Sequence, residues 1–155
     1  MSTTRRAAST VVSFAVAVFV SFAMLGVAPA HAYDAKYDGN DPIASGCSNG
    51  AVTVDSRHLA FNGQTISAYV ELRYSPSCRT TWGRLTGGQP ATADHAASFV
   101  RIHRNSDGKT FTRTWKSSDS GSIYTPMVND ANVTSHAHAE DDTGFAIFKA
   151  TTIDY

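Results

Sequence analysis

Apolar and polar residues alternate with a period of two through most of the chain beyond residue 50. The alternation is cleanest in residues 65–74. Ile66, Ala68, Val70, Leu72 and Tyr74 fall on one face, and Thr65, Ser67, Tyr69, Glu71 and Arg73 on the other. That pattern marks a strand with one face against a core. Ile66, Val70 and Leu72 are expected to point inward, and Thr65, Glu71 and Arg73 outward. Asn62-Gly63 precedes the strand and suits a type I′ hairpin turn, which needs positive φ at both positions. Pro76 ends the strand because it has no N–H for the ladder.

Shorter segments of the same kind fill the rest. Residues 51–55, 58–61, 80–86, 99–104, 110–116, 123–128, 132–137 and 145–151 read as strands. Asn105-Ser106-Asp107-Gly108 supplies a four-residue turn between two of them. Gly87-Gly88-Gln89-Pro90 breaks the chain, and residues 91–97 read as loop. No amphipathic helix is indicated. About eight short strands separated by turn signals predict an all-β fold, a small antiparallel sandwich or barrel.

The first 32 residues read differently. Arg5 and Arg6 precede a 17-residue apolar run from Val11 to Val27, and Ala28-Pro29-Ala30-His31-Ala32 places small residues at a cleavage site. This is the pattern of a secretory signal peptide, 1–32, cleaved after Ala32. The pair Arg5-Arg6 does not separate a general from a twin-arginine route. The remaining residues, 33–155, suffice for a single secreted β domain. Its opening, 33–46, is polar and turn-rich, an arm pinned by Cys47. Asp34, Asp38 and Asp41 match no calcium-loop spacing, and Asx-turns explain them.

Without Arg5 and Arg6 the whole-chain count of 13 basic and 13 acidic residues becomes 11 against 13, a net charge of −2. That balance speaks against general nucleic-acid binding, and against membrane binding after signal cleavage. Export places Cys47 and Cys78 in an oxidising compartment, where one disulfide is the natural pairing. In the chain-entropy model it stabilises by roughly 3–4 kcal/mol.

Four phrases occur in order: Tyr37-Asp38-Gly39-Asn40-Asp41-Pro42 with Gly46-Cys47, then residues 70–80 with Trp82, then His103-Arg104-Asn105-Ser106-Asp107-Gly108, then Tyr124-Thr125-Pro126-Met127-Val128. Together they resemble the YjfA-like family of secreted bacterial proteins of unknown function (DUF2690 domain). The resemblance implies a small exported β-rich domain from a Gram-positive, often actinobacterial, source. It carries no activity and no catalytic residues. Many members carry two further cysteines, whose places here fall near Arg113 and Ile123. The resemblance therefore implies a missing disulfide and a less constrained loop between them.

The candidate chemistry is thin. His136 and His138 lie two apart on an expected strand and share a face. With Asp130, Glu140, Asp141 or Asp142 they are weak candidates for Zn²⁺ or Cu²⁺, against the reading of an exposed edge beside an acidic turn. No nucleophile motif, phosphate loop or other cofactor signal occurs. Asn132-Val133-Thr134 fits a glycosylation acceptor, which carries little weight in a bacterial chain. Residues 73–116 hold eight basic residues against two acidic ones. Arg73, Trp82, Arg84, Arg101, Arg113 and Trp115 are the candidate ligand-binding residues, with forks for phosphate or carboxylate and rings for sugar faces. Two alternatives stand beside this. The acidic run Glu140-Asp141-Asp142 lies over the basic patch and cancels it, or Trp82 is simply core.

These observations predict an extracellular binding or structural module at the cell envelope, acting as a monomer without cofactor. Its expected partner is a cell-wall polymer (an anionic glycopolymer or peptidoglycan) or another extracellular protein. The alternatives are a small secreted hydrolase or metal-dependent enzyme, and an extracellular protein–protein interaction or inhibitor module.

Overall fold

A computed structural model describes residues 35–155. The expected signal peptide and cleavage site lie outside the described residues. Beyond a 3-10 turn at Ala35–Tyr37, every element is a strand: β1 Val52–Phe61, β2 Gln64–Ser75, β3 Thr80–Thr86, β4 Phe99–Arg104, β5 Thr110–Thr114, β6 Ser122–Tyr124, β7 Val128–Asn129, β8 Ser135–Asp142 and β9 Ile147–Thr151. All pairings are antiparallel, in the order β5-β4-β8-β9-β1-β2-β3-β6, with β7 also on β3. The sheet curls until its end strands β5 and β6 approach each other, giving a nearly closed barrel.

The interior holds the alternating apolar set. Ala68, Val70 and Leu72 of β2 meet Leu85, Val100, Ile102, Ala137 and Ala139, and Ile66 packs against them half-buried. The opposite walls nearly touch at Gly83. A Cβ built there would lie 2.8 Å from Val100 Cγ2 and 3.3 Å from Ala137 Cβ, so only hydrogen fits between the walls. The turn before β2 is as expected, with Asn62 at φ 47° and Gly63 at φ 80°.

Several boundaries differ from the alternation-based reading, three of them with a clear cause. The two expected strands 51–55 and 58–61 are one strand, Val52–Phe61, with two register irregularities, between Thr53 and Asp55 and between His58 and Ala60, and these blur the period of two. The segment 123–128 is split into β6 and β7, because Pro126 lies between them. The acidic run Glu140-Asp141-Asp142 is strand, the end of β8, where a turn was expected. Asp141 is tolerated on the inner side because Ser98 Oγ donates to it at 2.6 Å.

The arm from Tyr37 to Ala51 wraps the outside of β3, β6 and β7. The Cys47–Cys78 disulfide ties it down, with Cα atoms 5.7 Å apart. Cys47, Trp82 and Met127 form a second apolar cluster beneath it, joined by Tyr37, Ala51, Cys78 and Tyr124. The outward positions of these strands are therefore buried as well.

Candidate functional site

The six residues singled out for ligand binding do not form one patch. Arg73, Trp82 and Arg84 do come together. Cross-strand pairing sets Arg73 beside Trp82 and Glu71 beside Arg84 on the outer face of β2 and β3. The arm's Pro42 and Ile43 and the β6 residues Ser122 and Tyr124 complete a groove of about 160 Å³ over them. Arg113 lines an adjoining pocket of about 400 Å³ in the seam between β5 and β6, which shares Ser122 and Tyr124 with the groove.

Both tryptophans depart from the expected surface role. Trp82 is 4% exposed beneath the arm and shows only an edge to the groove, while Trp115 is 5% exposed inside the barrel. Trp82 is thus core of a second kind, under a cover that local pattern does not announce. Arg101 lies on a different face, opposite His138 and over the Phe99 ring at 5.3 Å.

The groove is electrostatically balanced from within. Arg84 Nε donates to Glu71 Oε2 at 2.5 Å, and Thr53 Oγ1 donates to Glu71 Oε1 at 2.9 Å. Burial pushes the Glu71 carboxyl up, but the Arg84 and Thr53 hydrogen bonds pull it further down, so it titrates below its ordinary value. Glu71 does point outward, yet only 6% of it is exposed, because these partners close over it. Among the described residues no carboxylate is bonded to Arg73; it donates to the Thr53 hydroxyl and to Ala51 O. Burial and the neighbouring Arg84 lower its pKa. Burial and then Asp41, 3.5 Å from its hydroxyl, raise the Tyr124 pKa.

The seam is lined on its inner side by Arg113 of β5 and Ile123 of β6, where the family resemblance placed the absent disulfide. Arg113 instead pairs with Asp119, its Nη2 donating to both carboxylate oxygens at 2.8 and 2.9 Å. The run Glu140-Asp141-Asp142 does not cover the basic residues. Glu140 pairs with His138, Asp141 with Ser98, and Asp142 accepts from the N–H groups of Ala96 and Gly144.

Sequence reasoning missed a buried lock. Arg104 is fully buried. It donates to Asp107 at 2.9 and 2.6 Å and to Asp38 at 2.9 Å. Asp38 also accepts from Asn129 N at 2.6 Å and meets Lys109 Nζ at 3.1 Å. Gly39 N donates to Met127 O and Met127 N to Asn40 O, both at 2.9 Å. The four phrases therefore converge on the fastening of arm to barrel. Asp41, by contrast, makes the expected Asx-turn, accepting from Ile43 N and Ala44 N. The available signal was co-occurrence of the phrases, not any one residue's type.

His136 and His138 share the outer face of β8, as their spacing requires, and His103 of β4 joins them opposite His136. Among the described residues, no three His, Cys, Asp or Glu side chains converge as a metal set. Asn132, in the expected acceptor sequence, instead adopts φ 63° and bonds Arg79 through its side-chain carbonyl.

The chain matches the family described as "Protein of unknown function (DUF2690)" over residues 35–138. It is 35% identical over 128 residues to "Uncharacterized protein YjfA" of Bacillus subtilis (strain 168), covering 79% of each chain. No solved structure matches significantly. The chain belongs to the DUF2690 family.

Proposed function

We propose that this member of the DUF2690 family is an exported binding module for an anionic glycopolymer of the cell envelope, such as wall teichoic acid or peptidoglycan. The carrying observation is the groove between arm and barrel, lined by Arg73, Arg84 and Tyr124, the last the direct cross-strand partner of Arg84. Guanidinium forks suit phosphate or carboxylate, and an aromatic ring suits a sugar face. Arg73 is the cation there whose hydrogen bonds go only to neutral oxygens, which leaves its charge for a ligand. Export is supported by the disulfide, which needs an oxidising compartment to persist. Binding is favoured over hydrolysis because the groove lining brings no carboxylate–imidazole pair together for acid–base work.

The test is co-sedimentation of the protein with isolated cell walls at low and high salt. The expected result is binding at low salt that falls as salt rises, because the charges are partly exposed. Arg73→Gln and Tyr124→Ala should each weaken it. No binding at low salt, or binding indifferent to both substitutions, overturns the reading.

A further inference from the structure

We propose that His103 and His136 form a two-imidazole site for a divalent transition-metal ion, Cu²⁺ before Zn²⁺. This does not rest on the glycopolymer reading; it concerns the opposite face of the barrel. The two residues are direct cross-strand partners on β4 and β8, with ring centroids 5.0 Å apart and planes tilted by 33°. A metal about 2.0 Å from each ring nitrogen holds two imidazole centroids about 4.5–5.2 Å apart, for ligand angles from square-planar to tetrahedral. The observed spacing falls inside that range with no ion bound.

The hydrogen bonds decide which nitrogens are available. Asp154 Oδ1 lies 2.8 Å from His136 Nδ1. A carboxylate can only accept, so Nδ1 carries the hydrogen and Nε2 keeps its lone pair. Thr110 Oγ1 lies 3.1 Å from His103 Nδ1 and 3.2 Å from Gly108 O, which can only accept. With the single hydroxyl proton on Gly108 O, Thr110 accepts from His103 Nδ1, and His103 Nε2 is left with its lone pair. Both rings thus have one nitrogen anchored by an oxygen partner and the other free, the usual arrangement around a ligating histidine. Asn105 Nδ2 donates to Asp154 at 2.8 Å and holds that carboxylate in place.

His138, although it shares the face, is excluded. Its Nε2 donates to Glu140 Oε1 at 3.0 Å, and its Nδ1 then accepts from Thr151 Oγ1 at 2.8 Å. Neither nitrogen is left over. The competent pair is therefore cross-strand His103/His136, not the i, i+2 pair His136/His138 that the sequence suggests. With only two protein ligands, the remaining coordination positions belong to water. Arg101, one pair along, opposes a cation, but its guanidinium is turned onto Phe99 and Thr112. Imidazole suits both ions, and Cu²⁺ leads in the general affinity order.

The experiment is titration of CuSO₄ into the protein without an added histidine tag, read by electron paramagnetic resonance and by the rise in melting temperature that binding to the folded state produces. The expected result is one nitrogen-ligated Cu²⁺ per chain. His103→Ala and His136→Ala should each abolish it, Asp154→Asn should weaken it about tenfold or more, and His138→Ala should leave it unchanged. His103→Gln, which keeps a polar side chain at that place, guards against misfolding and should also lose the ion. No stoichiometric Cu²⁺ signal, a signal that survives both His103→Ala and His136→Ala, or equal loss in His138→Ala overturns the proposal.

Discussion

The two outer faces of this barrel are built from the same kind of strand and end up chemically opposite. On β2, β3 and β6 the outward residues include Trp82, Glu71 and Arg73, and the arm closes over them with Cys47 and Pro42. On β4, β8 and β9 the outward residues include Arg101, His103, His136, His138 and Thr151, and among the described residues these stay partly or fully exposed. The covered side becomes a second core, held by a disulfide and a buried ion cluster. The bare side stays polar, and its groups satisfy one another across the strands. Outward position alone therefore does not mean exposure. The difference lies in whether a distant segment is fastened over the strand, and the fastening is ionic as well as apolar.

The sharpest way to break this comparison uses two arginines of one strand. Arg104 points into the lock and Arg101 onto the bare face. Arg104→Met should destabilise the fold by about 3–5 kcal/mol, because it leaves Asp38 as a buried carboxylate without its main partner. Arg101→Met should change stability by less than about 0.5 kcal/mol, as an exposed substitution. Urea unfolding of both variants measures the contrast; equal effects would show that the arm is not fastened through Arg104.

A smaller loss is expected from the covalent part of the fastening. Cys47→Ala should cost about 2–4 kcal/mol. Limited proteolysis should then cut first within the arm and leave the barrel intact, since few of the arm's contacts are made by the barrel interior. First cuts elsewhere, in the hairpin 105–108 for example, would mean the arm does not depend on the bridge.

The smallest effect concerns the covered side's other buried carboxylate. Asp38 has Arg104 and Lys109, whereas among the described residues the side-chain donor to Asp130 is Ser135 Oγ alone, at 3.1 Å. Burial raises the Asp130 pKa to about 7, and the Ser135 hydrogen bond and the charges of Arg79 and Arg104 only partly oppose it. Between about pH 4 and 7 the folded chain keeps a proton that the unfolded chain has released. Unfolding free energy should therefore fall as pH rises through that window and level off above it. Asp130→Asn keeps the side-chain acceptor and removes the titration. It should stabilise by on the order of 2 kcal/mol at pH 8 and by little at pH 4. Urea midpoints at pH 4, 6 and 8 that run parallel for the two proteins would refute this.

Much of the fold was legible because its signals are local. The period of two in β2 assigned Ile66, Val70 and Leu72 to the core, and Asn62-Gly63 set the hairpin register. Legibility failed where the period was disturbed or shared. The irregularities in β1 hid one long strand as two short ones, and the acidic end of β8 read as a turn because Asp141's partner, Ser98, lies 43 residues away. Of the site, Arg73, Trp82 and Arg84 were found together because their strands are neighbours in sequence. Arg101, Arg113 and Trp115 were grouped with them by composition alone, and composition carries no register.

The sequence by itself determined the all-β class, the pairing of its two cysteines and the inward face of its clearest strand. Each follows from short-range alternation, from turn chemistry or from there being only one possible bridge. Tertiary structure alone decided that the sheet curls into a barrel, that the arm turns Trp82 into core, and that Arg104 is buried among carboxylates. It also decided that His103 becomes the cross-strand neighbour of His136. These outcomes depend on which residues distant in the chain become neighbours. In an antiparallel sheet that is set by strand order, where a shift of one residue in register moves every side chain to the other face.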